Sequence, residues 1–182
     1  MKKLIITMMI LALPSSLFAS EEQVTGAFGF KFGETYDEKK ALKVEKTEQG
    51  EVFYVVSPLK PFKSFDAYVL AMTPVTKLIY AISATGLFEN IRSCKQERSL
   101  IIDLLKKKYS LKDVTNDIDK IEAEVEIKRY DAIFLEQDNV AIKLGCNANG
   151  KLVVIYGDEN LESMAEKERL KVESGKVDTS GL

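Results

Sequence analysis

The chain contains two cysteines, Cys94 and Cys146, and the pattern around each one places it on the inward side of a secondary structure element. Cys94 lies two helical turns before Ile101, so it belongs to the apolar face of the helix predicted there. Cys146 continues the alternation set by Ile142 and Leu144, so it faces inward on its strand. A helix packed on a sheet can bring the two sulfur atoms together, and we predict a disulfide between them.

The N-terminal segment has the three-part pattern of a secretory signal peptide, and export favours disulfide formation. Lys2 and Lys3 precede the apolar run Leu4–Leu13, and small residues follow at the predicted cleavage point after Ala19 or Ser20. The apolar run is shorter than the roughly 17–25 residues that span a bilayer. We therefore expect a periplasmic or secreted protein with no membrane span after cleavage of the signal peptide at residues 1–19.

The composition limits the kinds of catalysis and metal binding that are available, because the chain contains no histidine. Histidine is the commonest general base near neutral pH and the commonest metal ligand, so Ser-His-Asp catalysis, Cys-His catalysis and the usual catalytic zinc sites are excluded. Redox catalysis usually needs C-x-x-C, and the two cysteines are too far apart for that motif. Loss of Lys2 and Lys3 with the signal peptide changes the net charge from −2 to −4, which argues against a nucleic acid partner. We assign no catalytic residue, no cofactor and no metal site.

Runs of β-branched and aromatic residues, separated by turn residues, predict a meander of antiparallel strands. We place strands at residues 27–33, 52–56, 67–72, 78–82, 121–127, 132–136, 140–146 and 152–156. Capping-box patterns predict a short helix from Thr35 to about Leu42 and a long helix from Ser93, over about 93–109. A charged helix follows at about 160–172. This order predicts an α+β fold, with one or more antiparallel sheets packed by the long central helix.

The expected organisation is a single α+β domain over residues 20–173, followed by a flexible C-terminal tail at 174–182. Two similar α+β halves, 20–110 and 111–173, are the alternative. The segment Phe65-Asp66-Ala67-Tyr68 recurs loosely as Tyr130-Asp131-Ala132-Ile133, and each copy opens a set of strands that ends in a helix.

Three glutamates, Glu122, Glu124 and Glu126, occupy one face of the strand predicted at 121–127. Such a row can receive a basic partner, and it is also typical of the solvent side of a sheet or of a protected edge strand. The acidic segment from Asp113 has the spacing of a calcium-binding loop, but Ile118 stands where the loop needs glycine. We interpret that segment as a solvated turn and keep the glutamate row as a candidate interaction face.

Two further patterns receive structural interpretations. Ser57-Pro58-Leu59-Lys60 matches the S-x-x-K motif of penicillin-binding enzymes, but its proline predicts a loop where the motif needs a helix, so we treat it as a chance match. Phe28, Phe30 and Phe32 alternate strictly and are predicted to belong to the core rather than to a ligand site.

Three functions remain open from the residues alone. The leading hypothesis is a non-catalytic binding or interaction module, whose sheet face binds a ligand or an envelope or secreted protein. An inhibitor or immunity-type protein against a secreted enzyme is the second hypothesis, since the acidic row suits a basic target. A carboxylate-based hydrolase of envelope polymer is the third, because acid pairs are set by the fold and not by local spacing.

Overall fold

The computed structural model describes residues 22–47, 51–115 and 131–175. Within these ranges the chain forms an eight-stranded antiparallel sheet, a two-stranded hairpin and two helices. Four predicted features lie outside the described residues: the signal peptide, the strand at 121–127, its glutamate row (Glu122, Glu124 and Glu126) and the end of the tail at 176–182. No helix in the described ranges is long and apolar enough to cross a membrane.

The elements follow one another as strands, a long helix, further strands and a final helix. The hairpin consists of β1 (Gly26–Ala27) and β2 (Phe30–Lys31), and the sheet contains β3 (Lys43–Lys46), β4 (Val52–Val56), β5 (Ala67–Met72), β6 (Ile79–Leu87), β7 (Lys112–Asp113), β8 (Ile133–Gln137), β9 (Val140–Cys146) and β10 (Lys151–Asp158). Helix α1 spans Ile91–Lys108, helix α2 spans Glu159–Glu173, and a single 3₁₀ turn spans Glu38–Lys40. The predicted α+β class and the long central helix are confirmed.

The strands of the large sheet run in the order β3-β4-β5-β6-β10-β9-β8-β7. Strands β6 and β10 pair at its centre, so two runs of four strands lie side by side in one sheet. The segment Phe65–Tyr68 leads into β5, next to the central pair, whereas its loose repeat leads into β8, two strands from β10. The short sequence repeat therefore does not mark equivalent strands.

Alternating side chains give the sheet two faces, and a different helix covers each face. The front face contains most of the core and is packed by α1 and by the hairpin. One row of paired positions crosses this face through Tyr54, Leu70, Ile82, Tyr156, Ile142 and Leu135. The back face carries Ala71 and Tyr80, which pack against Ala165 of α2.

Helix α1 is attached to the second run of strands by a covalent bond and by a buried cation. Cys94 and Cys146 form a disulfide with a Cα–Cα distance of 6.0 Å, which confirms the predicted pairing. Arg98 lies on the buried side of α1, and its guanidinium donates to the backbone carbonyl and to the carboxylate of Asp131. Lys95 also binds this carboxylate, at 2.7 Å. The helix is therefore held against the residues that precede β8.

The predicted opening strand at 27–33 is wrong, because the chain turns back within it. Phe28 and Gly29 both have positive φ, 54° and 91°, and they form the two-residue turn between β1 and β2. Paired positive φ values match the twist of a hairpin, which explains the tight turn. The alternation of phenylalanines is compatible with either arrangement, so it did not reveal the turn.

The two capping-box predictions differ from the observed helix starts. Asn90 caps α1 by accepting from the backbone N–H groups of Arg92 and Ser93, so the helix begins two residues before Ser93. No helix forms at Thr35, and Asp37 caps the short 3₁₀ turn instead. Strands β3 and β7 were not predicted, because their short, exposed sequences carry no apolar alternation.

Replacing both cysteines, as Cys94→Ala with Cys146→Ala, should lower the free energy of unfolding by about 4 kcal/mol, because the bond closes a long loop in the unfolded chain. The two residues are 52 positions apart. Urea denaturation followed by circular dichroism measures this loss. Wild-type protein in excess reductant should show the same decrease in the free energy of unfolding. A loss below about 1 kcal/mol would contradict a stabilising role for the bond.

Lys95, together with Arg98, holds the pKa of Asp131 below its ordinary value of 3.8, against the opposing effect of burial. At pH values above the ordinary pKa, the ionised carboxylate therefore stabilises the fold. This contribution is lost as the pH falls through the lowered pKa. Asp131→Asn should be less stable than wild type near pH 7 and equally stable near pH 2. Asparagine tolerates the φ of 45° at this position, so the comparison isolates the charge.

Denaturation curves at the two pH values test this expectation. Asp103→Asn is the matched control, since Asp103 lies exposed on α1 with no ion pair among the described residues. An equal stability difference at both pH values would show that Asp131 acts through packing and not through its charge.

Candidate functional site

The front face carries an apolar cleft between the β1–β2 hairpin and α1, which we name the aromatic cleft. Its volume is about 190 Å³. An engineered apolar cavity of about 150 Å³ admits a benzene molecule, so the aromatic cleft has room for one ring-sized group. Three parts of the chain supply its walls: the hairpin, the segment between β4 and β5, and α1.

The hairpin wall depends on the turn that the sequence did not predict. Positive φ at Phe28 directs its ring into the front face, where it meets Phe65, Tyr68 and Tyr156 at centroid distances of 5.6, 5.0 and 5.7 Å. All three contacts are edge-to-face, the geometry that aromatic pairs favour. Glycine is required at Gly29, because a Cβ there would clash with the side chain of a neighbouring loop residue. The contacts hold a backbone conformation that phenylalanine rarely adopts.

The second wall is the segment between β4 and β5, and one buried hydroxyl organises it. Tyr68 Oη accepts from the backbone N–H of Phe62 at 2.9 Å and donates to the carbonyl oxygen of the same residue at 3.1 Å. The N–H of Lys60 donates to the carbonyl of Phe28 at 2.9 Å, which joins this segment to the hairpin. Ser57 and Lys60 therefore lie in a loop, outside the helical context that the S-x-x-K motif requires.

The third wall is one side of α1. Ile101 is buried at the base of this wall, while Leu104 lines the opening with 52% of its surface exposed. Leu100, one helical turn earlier, is 57% exposed and continues the apolar surface beyond the cleft. Glu97, on the same side of the helix, accepts a hydrogen bond from Ser64, which holds α1 to the second wall. The opening thus carries adjacent leucines that the core does not cover.

Tyr156 of β10 lines the cleft from the sheet and supplies its buried polar group. The residue is 6% exposed, and its hydroxyl makes no hydrogen bond within the described part of the chain. Burial, with a smaller effect of Tyr109, raises the pKa of this hydroxyl far above its ordinary value, so it stays protonated at neutral pH. A protonated phenol can donate one hydrogen bond. The cleft therefore presents one buried hydroxyl that has no partner among the described residues, beside mainly apolar side chains.

Lys108 lies at the edge of the cleft, at the C-terminal end of α1. Its ammonium is 3.1 Å from the carboxylate of Glu22 and 2.8 Å from the hydroxyl of Tyr109. The hydrogen bond to Tyr109, followed by that to Glu22, raises the pKa of Lys108, and burial opposes the effect. The rim therefore carries a protonated Lys108 whose charge is paired with that of Glu22.

The structure accounts for several residues singled out in the sequence. Phe30 is buried, and Phe28 and Phe32 pack against the core, as expected, although Phe28 also lines the cleft. Asp113 accepts from the backbone and the hydroxyl of Thr115 in a local turn. Among the described residues, no group of three or more acidic or cysteine side chains is placed to hold a metal ion. The rest of the calcium-like segment, like the glutamate row, lies outside them.

Sequence reasoning missed Tyr156 as a functional residue, although a signal was present. Leu152 and Val154 place Tyr156 on the inward face of its strand by alternation. A tyrosine on an inward face must bury its hydroxyl, and buried tyrosines usually find a hydrogen-bond partner. The available signal was therefore that the hydroxyl of Tyr156 needs a hydrogen-bond partner. Whether a partner is present depends on residues that are distant in the sequence.

Comparison with known proteins assigns no family and no function to the chain. No family model matches the chain, and no match was found among curated proteins or solved structures. The candidate site rests on the positions of its own residues.

Phe28→Ala should lower the free energy of unfolding by about 3 kcal/mol, because it removes buried surface together with three edge-to-face ring contacts. Phe32→Ala is the matched control, since Phe32 is also partly buried but makes no such ring contact in the described residues. Urea denaturation compares the two variants. A loss at Phe32 equal to that at Phe28 would refute the special role of the hairpin ring.

Proposed function

We propose that this chain is a non-catalytic binding module, exported to the periplasm or beyond, that holds a small and mainly apolar ligand in the aromatic cleft. The observation that carries this proposal is the hydroxyl of Tyr156, buried in a mainly apolar cleft with no hydrogen-bond partner among the described residues. An unsatisfied buried donor costs about 1–3 kcal/mol. A ligand with one acceptor atom would remove this cost when it binds.

The shape and chemistry of the cleft indicate the ligand class. A volume of about 190 Å³ suits one aromatic ring or an apolar group of similar size. Apolar walls from Phe28, Phe62 and Leu105 would bury its body, and Tyr156 would bond a carbonyl or ether oxygen. We therefore expect an aromatic ketone or ester to bind better than a hydrocarbon of the same size.

Export is supported by the signal peptide pattern and by the disulfide. Disulfides persist in oxidising compartments and are rare in the cytosol. The bond between Cys94 and Cys146 joins α1 to β9, and α1 forms one wall of the cleft. An oxidising compartment would thus favour the arrangement that the proposed ligand needs.

The inhibitor and hydrolase hypotheses have less support in the described residues. The glutamate row that would serve an inhibitor, Glu122, Glu124 and Glu126, lies outside them. The described lining of the aromatic cleft contains no carboxylate, so a hydrolase would have to use another part of the chain. Binding is the function that the geometry supports best.

Acetophenone and ethylbenzene test the proposal, because they have nearly the same size and differ in one acceptor oxygen. Wild-type protein should bind acetophenone about tenfold more tightly, the effect expected of one buried hydrogen bond. Tyr156→Phe should remove this preference while it keeps the affinity for ethylbenzene. Ligand-observed NMR or titration calorimetry measures both affinities.

Leu104→Gln provides a second variant, which should weaken the binding of both probes by removing apolar surface at the opening. Leu170→Gln is its control, because Leu170 is exposed to a similar extent on α2, on the other face of the sheet. Failure of both probes to bind, or an unchanged preference in Tyr156→Phe, would refute the proposed use of the cleft.

A further inference from the structure

A second cavity lies at one end of the sheet, between β4, the β5–β6 turn and α2. We name it the polar pocket, and its volume is about 210 Å³. Charged and hydroxyl-bearing side chains line much of it: Lys46, Glu51, Tyr54, Lys77, Tyr80 and Arg169. It shares no lining residue with the aromatic cleft, so each cavity can be tested without the other.

The wall formed by the β5–β6 turn is held in place by Glu168 of α2, a buried carboxylate. It accepts hydrogen bonds from the N–H groups of Val75 and Thr76, at 2.8 and 3.1 Å, and from the hydroxyl of Thr76 at 2.7 Å. The N–H of Leu78 donates to the hydroxyl of Thr73 at 2.9 Å. The protein's own groups make these bonds, and they hold this wall of the pocket in place.

Three cations surround the polar pocket. Lys77 has a φ of 58°, a conformation that lysine rarely adopts, and its ammonium lies 3.2 Å from the carboxylate of Glu38. Arg169 lies 3.0 Å from Glu51, and Lys46 has no ion pair among the described residues. Strained residues of this kind cluster at ligand sites. Of the charged side chains that line the pocket itself, three are cations and one, Glu51, is a carboxylate. The carboxylates of Glu38, Glu162 and Glu168 lie near the lining without forming part of it.

Tyr80 supplies the buried donor of this pocket. The residue is 9% exposed, and its hydroxyl makes no hydrogen bond within the described residues. Burial, with Glu51 and Glu162 and against Arg169, raises the pKa of Tyr80 to about 12. The hydroxyl therefore stays protonated at neutral pH and can donate. A buried donor beside several cations matches a ligand that carries negative charge and accepts hydrogen bonds.

We propose that the polar pocket binds a small oxyanion, a carboxylate or a phosphate, which accepts a hydrogen bond from Tyr80 and pairs with Lys46, Lys77 and Arg169. This site is additional to the aromatic cleft and does not depend on the function proposed for it. The ligand oxygen would accept from the Tyr80 hydroxyl, which has no partner within the described ranges. Charge-assisted hydrogen bonds of this type are shorter and stronger than neutral ones.

Titration with sodium phosphate and with sodium succinate tests the proposal, with sodium chloride at equal ionic strength as the blank. Chemical shift changes at residues around the pocket report binding. Tyr80→Phe and Lys77→Asn should each weaken the binding of the preferred anion at least fivefold. Asparagine tolerates positive φ, so Lys77→Asn removes the charge without new strain. Lys167→Gln, an exposed charge change on the same helix as Arg169, should leave the affinity unchanged.

Thermal unfolding separates a ligand-binding role for Tyr80 from a structural one. Removing an unpartnered buried hydroxyl should leave the Tm of Tyr80→Phe unchanged or higher. Saturable binding of either anion, lost in this variant at an unchanged or higher Tm, supports the proposal and identifies the class of oxyanion. No saturable binding of either anion at tens of millimolar, equal binding by Tyr80→Phe and wild type, or a lowered Tm would overturn it.

Discussion

The pairing of β6 with β10 is the constraint on which the rest of the structure depends. Backbone hydrogen bonds along Ile79–Leu87 and Lys151–Asp158 join two separate runs of four strands into one sheet. Once the register is set, alternation decides which side chains face front and which face back. A slip of one residue would move Tyr156 out of the aromatic cleft and expose the apolar row around it.

The two helices convert this sheet into a structure with two distinct cavities. Helix α1 covers the front face, where the disulfide and Arg98 hold it, and α2 packs on the back face, where Glu168 holds a turn. Each cavity contains a buried tyrosine hydroxyl, of Tyr156 or Tyr80, that makes no hydrogen bond in the part of the chain that the structure describes. Groups of this kind lower stability, and natural proteins keep such exceptions mainly where function requires them.

Much of the fold followed from local patterns in the sequence. The predicted strands at 52–56, 67–72 and 140–146 match β4, β5 and β9, because each is a bounded run of β-branched and aromatic residues. The turn at Phe28 was missed because distant rings, Tyr68 and Tyr156, hold its positive φ. The start of α1 was misplaced because Asn90, and not Ser93, caps the helix, and both residue types are good caps.

By itself, the sequence determined the α+β class, the long central helix and the pairing of Cys94 with Cys146. These features depend on periodicity within short segments, which assigns each side chain to a face. Only the tertiary structure decided that Tyr80 and Tyr156 each line a cavity and that their hydroxyls find no partner among the described residues. The physical reason is that residues far apart in the chain supply the hydrogen-bond partners and the cavity walls. Local sequence patterns do not predict which distant residues come into contact.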